Sequence, residues 1–135
     1  MASFSDYWEL AVLDGTFGDP TTPTITAPVY LALCTSVPDD TKTGSTIVEA
    51  NYTGYARKSI AAADMSAAAA GSKTNSNAIT FAACTSGSST IIGWAICDAS
   101  SAGNMLCWGT ATSTVISTTQ TPATVAVGGL VVTLD

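Results

Sequence analysis

The sequence predicts an all-β chain, an antiparallel β-sandwich of jelly-roll-like character with one short N-terminal α-helix. Three observations lead there. About eight short runs rich in aliphatic, aromatic and β-branched residues recur along the chain, separated by clusters of Gly, Pro, Asn, Asp and Ser. Most of these runs alternate at period two. Helical periodicity with a start and a stop signal is confined to the first 18 residues.

The strongest pair of runs is a hairpin spanning residues 91–110. Its two arms flank Asp98-Ala99-Ser100-Ser101-Ala102-Gly103-Asn104, a stretch of residues that tolerate turn geometry and hydrogen-bond their own backbone. Trp94 and Ile96 on one arm, and Leu106 and Trp108 on the other, recur at spacing two. Each pair is therefore expected on one face, with both faces meeting over a common core that includes Trp108.

In chain order, residues 1–18 read as the helix. Ser3 followed by Asp6 resembles a weak capping box, Phe4, Tyr7, Trp8, Ala11 and Val12 recur at helical spacing, and Gly15 and Gly18 end the run. The polar side of this helix is thin. Its stripe has two readings: it plugs an open end of its own β-domain, or it docks on a partner, since Tyr and Trp are enriched at interfaces. The docking reading makes Phe4, Tyr7, Trp8 and Val12 the candidate partner-binding residues.

Residues 19–28 contain three prolines and read as a stiff linker that separates the helix from a β-sandwich domain over 29–135. Deleting residues 1–18 is then expected to leave that domain folded. Residues 29–34 form a strand, and 35–44 a turn-rich loop whose Asp39-Asp40 lacks the ordered oxygen ligands of a calcium site. A weak pairing at 47–50 precedes a strand over 52–60 with Tyr55, Arg57 and Ser59 on one face. Residues 61–76, mostly Ala, Ser and Gly, lack large apolar anchors and read as a long loop. Residues 77–82 form a strand with Ile79 and Phe81 inward, and 115–118, 123–127 and 130–134 supply the last strands.

Only 10% of the 135 residues are charged, against roughly 25% in an average soluble chain. That deficit points to a surface covered by copies of the chain or by a partner. A net charge of −6 with four basic residues, Lys42, Arg57, Lys58 and Lys73, argues against nucleic acid, which needs a basic patch. No apolar run approaches the roughly 18 residues that span a bilayer, so no membrane association is expected. The first residues carry acids where a secretory signal carries bases, which predicts synthesis and folding in a cytosol.

The chemistry expected of the chain is thin. With no histidine, no Ser-His or Cys-His couple can form, no Gly-rich loop opens a helix, and the carboxylates are scattered in turns. The chain is therefore read as a non-enzyme with no cofactor and no metal. Cys34, Cys84, Cys97 and Cys107 form no C-x-x-C pair and are expected as free, buried thiols, with a Cys97 to Cys107 bridge across the hairpin as the other reading.

Several stretches together resemble a family of small tailed-bacteriophage virion proteins, often labelled tail fibre proteins. They are Asp6 to Asp14, Val29 to Thr35 followed by Pro38-Asp39-Asp40, Gly54-Tyr55-Ala56-Arg57 and Asn75 to Phe81. Gly93 to Ala99, Gly103 to Gly109 and the closing Leu130 to Asp135 complete the set, so the resemblance runs nearly end to end. It implies a virion structural protein of the capsid decoration (cement) type that binds and stabilises the outside of the assembled head. Its implied partners are the major capsid protein and further copies of itself, and its implied place is the capsid surface, after synthesis in the host bacterial cytoplasm. Two alternatives stay open: a tail fibre or tail-tip associated module, and a lectin-like domain using Tyr52 or Tyr55 as exposed aromatics.

Overall fold

A computed structural model describes residues 2–19 and 24–133. Its elements are β1 (Ala2–Phe4), α1 (Asp6–Thr16), β2 (Val29–Cys34), β3 (Lys58–Ile60), one 3-10 turn (Ala62–Asp64), β4 (Ser72–Thr74), β5 (Ile79–Thr80), β6 (Ser88–Cys97), β7 (Met105–Ser117), β8 (Thr124–Val125) and β9 (Val131–Thr133). The chain is all-β with one short helix, as the alternation of its apolar runs predicts. A five-stranded antiparallel sheet, in the order β1-β7-β6-β2-β3, forms one layer. Two short antiparallel ribbons, β4-β9 and β5-β8, contribute to the second.

The main core lies between these layers. Leu31, Leu33, Ile60, Ile91, Ile96 and Leu106 from the sheet meet Tyr52, Ile79, Phe81 and Leu130 from the other side. Burying one such side chain contributes about 1.5–3 kcal/mol. Ile79 and Phe81 both point inward, as their alternation predicts. A smaller cluster of Ala32, Cys34, Ile47, Ala95, Cys97 and Met105 packs with Trp108 on the opposite face of the sheet. Residues 35–50 contribute to that layer through Ile47 and through Asp40, whose carboxylate accepts the Trp108 indole N–H at 2.8 Å.

The hairpin forms where expected, but its faces differ from the alternation rule. Ile96 pairs with Cys107 and Cys97 with Met105, so Leu106 is an extra residue on β7. This bulge breaks the period-two register. Leu106 stays in the main core with Trp94 and Ile96, while Trp108 turns to the other face beside Ala95. A second irregularity between Ile91 and Gly93 lets Ile91 join the main core although Ile92 shares its parity with Trp94. Trp94 itself crosses to β7, where a Cβ on Gly109 would stand 2.6 Å from its ring.

Several boundaries also move. The strand expected over 115–118 is not separate: residues 115–117 are the end of β7, which runs 13 residues, and Thr118 opens the turn that follows. The strand expected over 52–60 shrinks to β3, because Tyr55 N–H closes a turn onto the Tyr52 carbonyl and Gly54 takes a φ of +102°, the left-handed region that glycine enters freely. The loop expected over 61–76 contains the 3-10 turn and β4; Ser72 lies beside its turn, where Ala69 and Ser72 exchange backbone hydrogen bonds. The expected last strand over 130–134 appears as β9, and Leu134 lies outside the described residues.

The largest correction concerns the N-terminus. Residues 2–4 are not helical; β1 pairs antiparallel with β7, placing Ala2 against Gly109 and Phe4 against Cys107. Ser5, not Ser3, caps α1, its hydroxyl accepting the Trp8 N–H at 3.4 Å. The same buried hydroxyl donates to the Met105 carbonyl, and Ser5 N–H donates to Leu106 at 3.0 Å. Phe4, Tyr7 and Trp8 pack on the main core, as does Ile25 from the expected linker. Of that linker, residues 20–23, with two of its three prolines, lie outside the described residues. Ala2–Phe4 are therefore a strand of the sheet, and α1 is packed against it and not held apart from it. Deleting residues 1–18 removes an edge strand, a buried hydroxyl's bonds and three core aromatics, so the truncated chain should lose cooperative melting or melt far below the full chain. Circular dichroism melting checks this, and an unchanged midpoint would show the segment to be dispensable.

Candidate docking surface

Polar side chains inside the fold are engaged with one another. Arg57, with its side chain 3% exposed, is the centre of the largest group. Its Nε donates to Glu49 at 3.1 and 3.2 Å, and Nη2 donates to Glu49 Oε1 at 2.7 Å and to the Gly44 carbonyl. Nη1 donates to the carbonyls of Ala99 and Ala102, both at 2.9 Å. All five guanidinium donors are thereby satisfied, the condition for burying this cation. Tyr55 completes the group: its hydroxyl donates to Glu49 Oε2 at 2.7 Å and accepts Leu33 N–H at 3.0 Å. Burial, reinforced by the Glu49 carboxylate, pushes the Tyr55 phenol above its ordinary range.

This group joins segments far apart in sequence and leaves no free nucleophile or base. Gly44 is part of it because a Cβ there would stand 2.0 Å from the Ala102 carbonyl oxygen. Tyr52 is 3% exposed and Tyr55 only partly exposed with its hydroxyl committed, so neither is the exposed aromatic that the lectin reading names. Asp98 closes the hairpin loop by accepting Asn104 N–H and Nδ2, both at 2.8 Å. Asp39 accepts from Thr41 and faces Lys42 at 3.8 Å, while Asp40 holds Trp108. Among the described residues no three His, Cys, Asp or Glu side chains converge on a metal position.

The four cysteines are free and buried. Cys97 belongs to the outer cluster and Cys107 to the main core, so the bulge places them on opposite faces of the hairpin and the bridging alternative is corrected. Burial pushes Cys34 and Cys107 up to about 12 and Cys97 to about 11. A largely apolar cavity of about 330 Å³ opens beside Phe4, Trp8 and Met65, with Ser72, Lys73 and Thr133 also among its lining residues.

The candidate partner-binding residues divide. Phe4, Tyr7 and Trp8 face the core, and only Val12, at 44% exposed, stands outward. The outward face carries a second apolar stripe instead: Leu10 at 61%, Leu13 at 56% and Phe17 at 87%. These residues, at i, i+3 and i+7, fall within one narrow arc opposite buried Ala11. Exposed Asp6 continues the stripe at its N-terminal end, and exposed Glu9 and Asp14 flank it. None of the three carboxylates makes an ion pair among the described residues. The signal was present in the sequence, since a helix with a thin polar side and apolar residues all round has more than one face to cover.

With this geometry in place, comparison assigns the class. Residues 3–133 match the family described as Podophage GP4 fiber I protein gp80, and the chain belongs to that family. It is a small tailed-phage virion protein of fibre type, built for structure. A search of curated proteins finds no match.

Two outcomes follow for the interior. Arg57→Ala strands Glu49 and three carbonyls and should cost about 3 kcal/mol, the low end of the range for breaking a buried pair because Glu49 is partly exposed. Arg57→Lys, with three donors in place of five, should recover less than half of that in urea denaturation. The thiols set a pH limit. In the folded chain Cys34, Cys97 and Cys107 keep protons that the unfolded chain releases near 9.0. Their contribution is full below that pH and is lost as pH rises towards 11 and 12, so the urea midpoint should fall above pH 9.0. A midpoint flat over that interval would count against the burial of these thiols.

Proposed function

We propose that the chain is a non-enzymatic structural module of the phage tail fibre apparatus, attached to another virion protein through the outward face of α1. The observation that carries this reading is the family match over residues 3–133, whose description names a podophage fibre protein. Three features of the molecule support it. The interior polar groups are consumed in holding loops together, the candidate sites among the described residues lack a catalytic couple, and Leu10, Leu13 and Phe17 expose large apolar side chains in series along one side of α1. The low charge of the chain agrees with a surface partly covered in an assembly. The partner is a protein, with neither nucleic acid nor membrane required, and no reaction is involved.

Electron microscopy of intact particles carrying a tagged copy tests this directly. A few copies at the tail are expected. Hundreds of copies over the head, with the major capsid protein beneath them, would instead establish the capsid decoration role. Attachment should also depend on α1: Leu13→Asp is expected to reduce incorporation into particles while leaving the melting temperature unchanged, because Leu13 is 56% exposed and contributes little to the core.

A further inference from the structure

We infer that the occupant of the outward face of α1 is a groove on a different protein, with an apolar floor and a rim of Lys or Arg, and not a second copy of this chain. The inference rests on the reading above that α1 is the attachment surface, and it names the chemistry of what α1 meets. Leu10 and Leu13 of the helix and Phe17, its C-cap residue, are spaced as the anchors by which a groove reads an amphipathic helix. Carboxylates frame that row: Asp6 at its N-terminal end, Glu9 on one flank and Asp14 on the other, all exposed.

Charge decides between the two occupants. Asp6–Thr16 contains no Lys or Arg, so the helix itself contributes charge of one sign only to this face. Two copies meeting face to face would bring like charges together at the rim of the contact, which disfavours that pairing. A basic rim reverses the sign of that interaction. The helix's own needs do not account for all three acids. Asp6 and Glu9 lie in the first turn, where they favour the positive end of the helix dipole, but Asp14 lies towards the C-terminal end, where a carboxylate is disfavoured and no base compensates it. Asp14 is thus set against local helix stability and available to a partner.

The segment is also held still before any partner arrives. Ser5 is bonded to Met105 and Leu106, Asp6 N–H donates to the Asp40 carbonyl at 3.0 Å, and Ala11, Tyr7 and Trp8 pack inward. A preformed helix spends little ordering entropy on binding.

The test uses particles assembled without this chain, incubated with the purified full-length protein. Bound chain per particle is measured for wild type, Leu13→Asp and the double variant Glu9→Lys with Asp14→Lys. The expected result is that the charge-reversed variant binds at least about tenfold more weakly at an unchanged melting temperature, and that wild-type binding falls with added salt. Zero-length carbodiimide coupling on loaded particles should then join Glu9 or Asp14 to a lysine of another virion protein. Charge reversal that leaves binding intact or strengthens it, while Leu13→Asp abolishes it, overturns the basic groove and leaves the attachment surface standing. A wild-type dimer in sedimentation that Phe17→Asp dissolves overturns it in favour of a second copy. If wild type does not bind the particles at all, the attachment reading fails and takes this inference with it.

Discussion

The buried guanidinium of Arg57 is the constraint on which one end of the molecule depends. A cation removed from water is tolerated only when every N–H finds an oxygen. Here those oxygens come from Glu49, Gly44, Ala99 and Ala102, so two long loops must be in place together. The loop carrying Gly44 and Glu49 buries few apolar side chains, Ile47 and Ala50 among them, and the hairpin loop over 98–104 buries none. The arginine supplies a shared anchor, Gly44 supplies the close approach by having no side chain, and Asp98 with Asn104 closes the hairpin loop from inside. In a chain with so few charges, one cation in this position has a large structural effect.

A second constraint is the bulge at Leu106. A single extra residue exchanges the faces of everything after it on β7, which sends Trp108 to the outer cluster and leaves Cys107 in the core. The outer cluster then consists mostly of small or flexible side chains, Ala32, Cys34, Ala95, Cys97 and Met105, and a loop with little apolar content can cover it. Asp40 fastens that loop to Trp108 and, through its carbonyl, to the start of α1. The sheet is thus covered on both faces although only one face has a second layer of strands.

These constraints suit a virion protein, whose task is to persist in shape while carrying a contact surface. The interior is held through hydrogen bonds to backbone carbonyls, and α1 is fastened at its N-terminal end with its apolar row outward. The helix therefore has two apolar faces in different surroundings. Tyr7, Ala11 and Trp8 pack on the domain, and Leu10, Leu13 and Phe17 are left exposed, as the proposed attachment surface requires.

The sequence by itself determined the class of the fold, the central hairpin, the strand at 29–34, the inward Ile79 and Phe81, and the presence of a helix near the N-terminus. Each of these depends on near neighbours in the chain, through periodicity and turn chemistry that residues carry with them. Only the tertiary structure decided that Ala2 to Phe4 are a strand, since three residues have no strand signal of their own and extend because β7 offers them an edge. It also decided which tryptophan faces which core, because a bulge is an agreement between two strands and is not written in either one. The role of Arg57 was illegible for the same reason, since two of its acceptors, Ala99 and Ala102, lie more than forty positions along the chain. The choice between the two stripes of α1 was settled last, because both have helical spacing and only the position of the sheet determines which one is left facing outward.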